Sequence, residues 1–175
     1  MRAILAAAVA LSPVAVAACT TLSDTTAATD GDLAREDNKG YLLAAVAGDL
    51  FEIQSSEVAL TKAQRPEVRE FARMLLAHHS GMTESLWDAA RASGMVRTHE
   101  WMLPPPMQRS LEELQQASPA DFDRVYVRQQ VLAHERALTL HRNYASKGDA
   151  AALRQAATAA VPVLQQHLDR ARQLL

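Results

Sequence analysis

Cysteine and aromatic residues are scarce in this chain of 175 residues, and there is no excess of positive charge. The single cysteine, Cys19, cannot form a disulfide within the chain or supply the thiolates of an iron–sulfur cluster. Aromatic residues make up 5% of the chain and the net charge is −2, so no basic surface with interleaved aromatic rings is available for nucleic acid. A glycine-rich phosphate loop, a nucleophile elbow and a serine–histidine spacing typical of hydrolases are also missing. These absences favour a protein that is not an enzyme and does not bind nucleic acid.

The first 18 residues have the composition of a secretory signal peptide, because one early positive charge, Arg2, precedes an uncharged apolar run that ends in small residues. This run is too short for a transmembrane helix. The residues VAAC at its end match the bacterial lipobox pattern, in which the cysteine becomes the lipid-bearing first residue. We therefore predict lipidation of Cys19, with a plain signal peptide cut near Ala18 as the alternative. Because Thr20 rather than aspartate follows, we expect the lipid to anchor the protein to the outer membrane, with its domain in the periplasm.

A polar tether is predicted between the lipid and the domain. Residues 19–36 are rich in threonine, alanine and aspartate and show no periodicity, which is typical of a flexible segment. The domain itself comprises residues 37–175. With a lipidated Cys19 this mature part has no free thiol, which excludes cysteine catalysis.

The domain lacks the alternation of apolar and polar residues that is typical of β-strands. Its apolar residues recur instead at the three- and four-residue spacing of helices. Four long helices are predicted, over about 37–62, 66–94, 118–148 and 149–175. The third has Ser118 as its expected cap and Pro119 at its first position. A 24-residue connection, from Met95 to Ser118, separates the second and third helices, and its segment MQRSLEELQQ predicts a short extra helix. A connection this long indicates a crossover, so we predict an all-α, ferritin-like four-helix bundle.

Each predicted long helix carries one ionisable residue on its apolar or small-residue face, namely Glu52, His79, His134 and His167. Measured from the predicted helix ends, these residues differ in height along the bundle by roughly 3–6 Å, at about 1.5 Å per residue. The segments FARMLLAHH and YVRQQVLAH also align, and this internal repeat pairs His79 with His134. The four side chains are therefore expected to form one polar layer near the middle of the bundle.

Two interpretations of this layer remain open. Imidazoles and a carboxylate can bind one zinc, iron or manganese ion. Alternatively, the layer is a hydrogen-bonded network of the histidines, Glu52, Tyr126 and water that fixes the helix register. The protein would then be a non-catalytic structural or interaction module that docks an envelope partner. Copper is a less favoured variant of the metal hypothesis: Met74, His78 and Met82 lie at helical spacing, but methionines in bundles usually fill the core. His141, on the same helical face as His134, either supports a ligand or is solvated.

Residues from about 40 to 175 resemble the bacterial family known as domain of unknown function 4142, which is grouped with ferritin-like four-helix proteins. The resemblance rests on the segments DLFEIQSSEVAL, VREFARMLLAHHSGM, FDRVYVRQQVLAH and VPVLQQHL. It implies that motif positions of the family are occupied here by Glu52, His79, Asp123, Tyr126, His134, Pro162 and His167. We expect Asp123 and Tyr126 to support the ligands. Ferritin-like di-iron sites use Glu-x-x-His motifs, and none occurs in this chain, so one metal ion at most is expected.

Overall fold

The computed structural model describes residues 38–95 and 102–175. These residues form five α-helices: α1 (Asn38–Lys62), α2 (Pro66–Ala92), α3 (Pro105–Gln116), α4 (Phe122–Lys147) and α5 (Ala151–Leu174). No strand occurs in these two segments, so the all-α prediction is confirmed. The predicted signal peptide and tether, including Cys19, lie outside the described residues. Within them, no helix combines the length and apolar character needed to span a membrane.

The four long helices form a closed ring, in which α1 and α5 each pack against both α2 and α4. The end of α1 lies beside the start of α4, since the carboxylate of Asp123 accepts hydrogen bonds from the backbone N–H groups of Gln64 and Arg65. The helices α2 and α4 therefore start at the same end of the bundle, and the chain must return along the bundle between them. The short helix α3 lies in this return and packs against α1 and α4. The crossover predicted from the length of the connection is confirmed.

The ends of α2 follow from its local sequence. Pro66 occupies a first-turn position where its missing N–H is not needed, and Glu67 places a negative charge near the positive end of the helix dipole. At the other end Gly94 has a φ of 75°, a left-handed conformation that glycine adopts without a steric penalty. The N–H of Met95 then donates to the carbonyl of Ala90 at 2.9 Å, which closes the last turn as a Schellman motif.

The start of α4 differs from the prediction. The helix begins at Phe122 rather than at Pro119, and Ser118 lies in a preceding turn. The hydroxyl oxygen of Ser118 accepts the N–H of Asp121 at 3.2 Å, and its carbonyl accepts the N–H of Phe122 at 2.9 Å. The capping hydrogen bond that the sequence suggested is therefore made, but it closes a turn before the helix. In the same way α5 begins at Ala151, two residues after the expected position.

Apolar clusters fill the two ends of the bundle and leave a polar layer between them. One cluster includes Phe71, Leu75 and Phe122, and the other includes Leu42 and Leu153. Between them, nine polar or charged residues are buried: Asp49, Glu52, Ser55, Ser56, His79, Gln130, His134, His141 and His167. Because buried polar groups need partners, the layer is the part of the fold whose composition requires a functional explanation.

Candidate metal centre

Three histidines from three helices meet in the polar layer. His79 of α2, His134 of α4 and His167 of α5 are 2%, 0% and 1% exposed. One ring nitrogen of each lies within 4.8 Å of a ring nitrogen of each of the others. The centroids of the three rings are 5.2 to 5.5 Å apart. We refer to His79, His134 and His167 as the histidine trio. Every predicted ligand among the histidines belongs to it.

One nitrogen of each ring in the histidine trio is held by a neighbouring group. The Nδ1 of His79 donates to Oδ1 of Asp49 at 2.8 Å, and the other oxygen of this carboxylate accepts the hydroxyl of Thr83. The Nδ1 of His134 donates to the backbone carbonyl of Gln130, also at 2.8 Å. Since a carboxylate and a carbonyl only accept, both rings carry their proton on Nδ1 when neutral, and the lone pair is on Nε2.

The third ring is oriented by a fourth histidine. The Nε2 of His167 lies 2.8 Å from Nδ1 of His78, and the two rings stack with their centroids 5.1 Å apart. His78 is exposed at the surface of α2, although its sequence neighbour His79 is buried. Of these two adjacent histidines, His79 is a member of the histidine trio, and His78 contacts the trio through His167.

The remaining nitrogens of the histidine trio are buried without a hydrogen-bond partner. They are Nε2 of His79, Nε2 of His134 and Nδ1 of His167. Leaving a buried polar group unpaired costs roughly 1–3 kcal/mol, so three such atoms on three neighbouring rings need a compensating interaction. Imidazole nitrogens whose opposite nitrogen is fixed by a carboxylate, a carbonyl or another polar group have the arrangement of metal ligands. The histidine trio fits a transition metal ion.

Glu52 lies beside this centre, next to a single histidine. Its Oε1 is 3.6 Å from Nδ1 of His134, on the side of the ring that faces Gln130, and its Oε2 is buried without a partner. The structure thus brings all four predicted ligands into one layer but groups the three histidines more tightly than the carboxylate.

The electrostatics of the layer keep two of its rings neutral. Burial, together with the neighbouring His79, lowers the pKa of His134 to about 3 and that of His167 to about 2. Burial alone lowers the pKa of His79 too, but the hydrogen bond to Asp49 and the charge of Glu52 outweigh it and raise the pKa above its ordinary value. Burial raises the pKa of Glu52 to about 8. An arriving cation therefore meets free lone pairs on His134 and His167.

The other predicted site residues lie away from the histidine trio. Asp123 is eleven residues before His134, about 16 Å along α4, and it fastens the loop between α1 and α2. The hydroxyl of Tyr126 is 3.0 Å from that of Ser56, within the apolar cluster at the same end of the bundle. Neither residue makes a hydrogen bond to the histidine trio, since the partners of Asp123 lie in a loop and the partner of Tyr126 is a serine.

His141 is buried and not solvated, and its Nδ1 is 3.0 Å from the hydroxyl of Tyr41. Burial lowers its pKa to about 4. The sequence reasoning missed Asp49 and Gln130, which fix the tautomers of two ligand candidates. Asp49 could have been found, because it lies one helical turn before Glu52 on the same face. The Gln130 contact is made by a backbone carbonyl, so its side chain gave no signal.

The family profile described as a domain of unknown function, DUF4142, matches residues 22–174. The chain belongs to the DUF4142 family. No curated protein matches it. Among solved structures, the bundle of this DUF4142 protein is similar to CopM in the Cu(II)-bound form, with a TM-score of 0.61 and 18% sequence identity. The similarity covers 78% of this chain and 93% of the CopM chain, and at this identity it shows a shared fold.

Proposed function

We propose that this DUF4142 protein is a lipid-anchored, metal-binding bundle of the cell envelope that holds one transition metal ion in the histidine trio. The observation that carries the proposal is the set of three buried ring nitrogens, on His79, His134 and His167, that lack any hydrogen-bond partner while the opposite nitrogen of each ring is held. A hydrogen-bonded structural layer, the alternative interpretation, would pair these atoms with one another, with neighbouring side chains or with buried water.

The donor set favours an ion that accepts imidazole ligands. Copper, zinc, iron and nickel do so, whereas manganese prefers oxygen. For a given site, affinity generally rises along the divalent series to Cu(II) and falls again at Zn(II). The shared fold with a chain solved in a Cu(II)-bound form supports the same order, so Cu(II) is the first ion to test and Zn(II) the second. Glu52, whose Oε2 is unpaired, is the candidate for a fourth ligand.

The burial of the histidine trio supports a role in holding an ion rather than in turning over a substrate. A side chain that is 0–2% exposed cannot contact a substrate molecule without a rearrangement of the helices. The envelope location is proposed from the sequence, because the lipobox cysteine Cys19 precedes a polar segment long enough to act as a tether. In this account the lipid holds a metal-binding domain at the membrane surface.

The test is the metal content of the full-length protein, purified without a polyhistidine tag and measured by inductively coupled plasma mass spectrometry. We expect one transition metal ion per chain, or uptake of one Cu(II) or Zn(II) by the metal-free protein. The variant His134→Ala removes one ligand and is expected to lose the ion. Tyr126→Phe is the matched control, because it alters a buried residue of the same helix outside the histidine trio. Absence of uptake by the wild type would favour the structural interpretation.

A further inference from the structure

A groove of about 500 Å³ lies between α2 and α5, on the outside of the polar layer. Small residues leave this space open. Ala156, Ala159 and Ala160 line it from α5, and Gly81 lines it from α2, where an added Cβ would meet no atom within 4 Å. Pro162 lies next to these alanines and provides no N–H to the preceding turn. The groove is therefore a consequence of the sequence of both helices.

Metal-binding side chains line this groove. His78 and Met82 are four residues apart on α2 and so project from the same face of the helix. His141 of α4 lines the groove as well, and its Nδ1 is held by Tyr41. A thioether next to an imidazole is a donor pair that suits soft transition ions such as Cu(I).

His78 also links the groove to the histidine trio. It is exposed, it lines the groove, and its Nδ1 lies 2.8 Å from Nε2 of His167. The rings of the trio are only 0–2% exposed, so an ion has to cross a layer of packed side chains to reach them. A route that starts at an exposed imidazole in direct contact with one of these rings avoids crossing the apolar clusters at the two ends of the bundle.

We propose that this groove is a second metal site, formed by His78 and Met82 with His141 on its wall, at which a copper ion, Cu(I) or Cu(II), binds before it passes to the histidine trio. Metal binding in the groove does not depend on the function proposed above. The transfer step does, because it requires that the histidine trio binds a metal ion. Transfer is a ligand exchange in which the hydrogen bond between His78 and His167 opens and an imidazole of the trio replaces the groove ligands. The ion keeps its charge, and no electron is transferred.

The first test titrates the full-length, metal-free protein with Ag(I), a soft closed-shell ion, in chloride-free buffer, with stoichiometry read by native mass spectrometry and affinity by calorimetry. In the His134→Ala background, which disrupts the histidine trio, we expect one Ag(I) to remain bound. Adding Met82→Leu, which removes the thioether at nearly constant volume, should weaken this binding about tenfold or more. Adding Met74→Leu is the control, because Met74 lies on the same helix but does not line the groove.

No Ag(I) bound in the His134→Ala background, or equal affinity with and without Met82→Leu, would overturn the groove site. Should His134→Ala fail to fold, as judged by circular dichroism, Met82→Leu in the otherwise unchanged chain gives the same answer through the loss of one Ag(I) per chain. A failure of the proposed function looks different: the wild type then takes up no ion that depends on His134, while the ion that depends on Met82 remains.

The second test measures the transfer step by stopped-flow absorption after mixing the metal-free protein with Cu(II). The variant Met82→Leu removes the thioether of the groove and leaves the contact between His78 and His167 in place. We expect it to reach the same final content of one Cu(II) per chain in the histidine trio at a rate reduced about tenfold or more, because Met82 is neither a ligand of the trio nor a hydrogen-bond partner of its rings. An unchanged uptake rate would show that the ion takes another route and would overturn the transfer step.

Discussion

Asp49 and His79 form a buried pair on neighbouring helices, with Oδ1 of the carboxylate 2.8 Å from Nδ1 of the ring. Both residues are nearly inaccessible, at 3% and 2% exposed. The pair fixes the tautomer of His79 and leaves its Nε2, which is buried without a hydrogen-bond partner, as the nitrogen that carries the lone pair. The orientation of His79, a candidate metal ligand, depends on this contact. Through Asp49, helix α1 therefore contributes to the geometry of the site.

Replacing Asp49 should weaken metal binding without removing a ligand. In Asp49→Asn the amide oxygen can still accept the hydrogen bond, but the negative charge that supports His79 is lost. Loss of such a supporting partner typically costs about 10–100-fold in metal affinity. Competition titration of Cu(II) or Zn(II) against a chelator measures the change. Asp88→Asn, at an exposed position of α2, is the control, and equal affinities for the two variants would argue against a supporting role for Asp49.

The stability of the metal-free protein should pass through a maximum near pH 6.5. Below that value, His134, His141 and His167 take up protons in the unfolded chain but stay neutral in the fold, because burial lowers their pKa values from 6.5 to between about 2 and about 4. Stability is therefore lost as the pH falls. The raised pKa of Glu52 opposes this trend from pH 4.5 upward, but one carboxyl does not outweigh three imidazoles.

Above pH 6.5 the sign reverses. The fold retains the proton of Glu52, whose pKa is about 8, and that of His79, whose pKa lies above 6.5, while the unfolded chain has released both. Each net proton changes the free energy of unfolding by roughly 1.4 kcal/mol per pH unit. Urea unfolding of the metal-free protein at several pH values between 5 and 8.5 checks the curve. A stability that keeps rising to pH 8.5 would contradict the pKa directions of Glu52 and His79.

Asp123 should matter for stability and not for metal. Asp123→Ala removes the acceptor for two backbone N–H groups, those of Gln64 and Arg65, and we expect a loss of about 1–3 kcal/mol in the free energy of unfolding. Urea unfolding gives this value, and metal analysis of the same preparation gives the stoichiometry. A variant that folds normally but binds less metal would restore Asp123 to the site, as the family resemblance implied.

The apolar end of the bundle offers a prediction that is independent of metal. Leu75 is fully buried among the residues of one apolar cluster, so Leu75→Ala should lower the free energy of unfolding by about 2–5 kcal/mol. Leu132→Ala, at a position that is 55% exposed, should change it by less than about 0.5 kcal/mol. Denaturant titrations of the two variants measure the contrast, and similar losses for both would show that the packing described for α2 is incorrect.

Lipidation of Cys19 predicts where the protein is found in the cell. Wild-type protein should sediment with the membrane fraction, and Cys19→Ser should move it to the soluble fraction of the envelope, because no lipid can be attached. Mass spectrometry of the N-terminal peptide provides the direct measurement. A wild-type peptide that starts near residue 19 without a lipid would establish the plain signal peptide instead.

The sequence was sufficient for the helices and for the positions of the three histidines, because both depend on the helical period. His79, His134 and His167 each interrupt an apolar stripe, and packing four stripes against one another brings them together. The first residues of α4 and α5 were predicted less accurately. Ser118 makes the expected hydrogen bond, but nothing local determines whether it closes a turn or caps a helix.

The contacts that give the site its chemistry depend on tertiary structure. The partner of Asp123 is a loop that precedes it by 58 residues in the chain, and the groove arises only where α2 and α5 pack side by side. Likewise, the stacking of His78 on His167 joins residues 89 positions apart. Helical periodicity places a residue on a face, but it does not specify which atom on the neighbouring helix the side chain contacts.

The most direct test of the central claim is anomalous X-ray diffraction from crystals of the protein loaded with Cu(II) or Zn(II). The account predicts one strong anomalous peak inside the bundle, about 2.0–2.1 Å from Nε2 of His79, Nε2 of His134 and Nδ1 of His167 when zinc is bound. A peak found only at the protein surface, with ordered water or a direct hydrogen bond satisfying these three nitrogens, would contradict it.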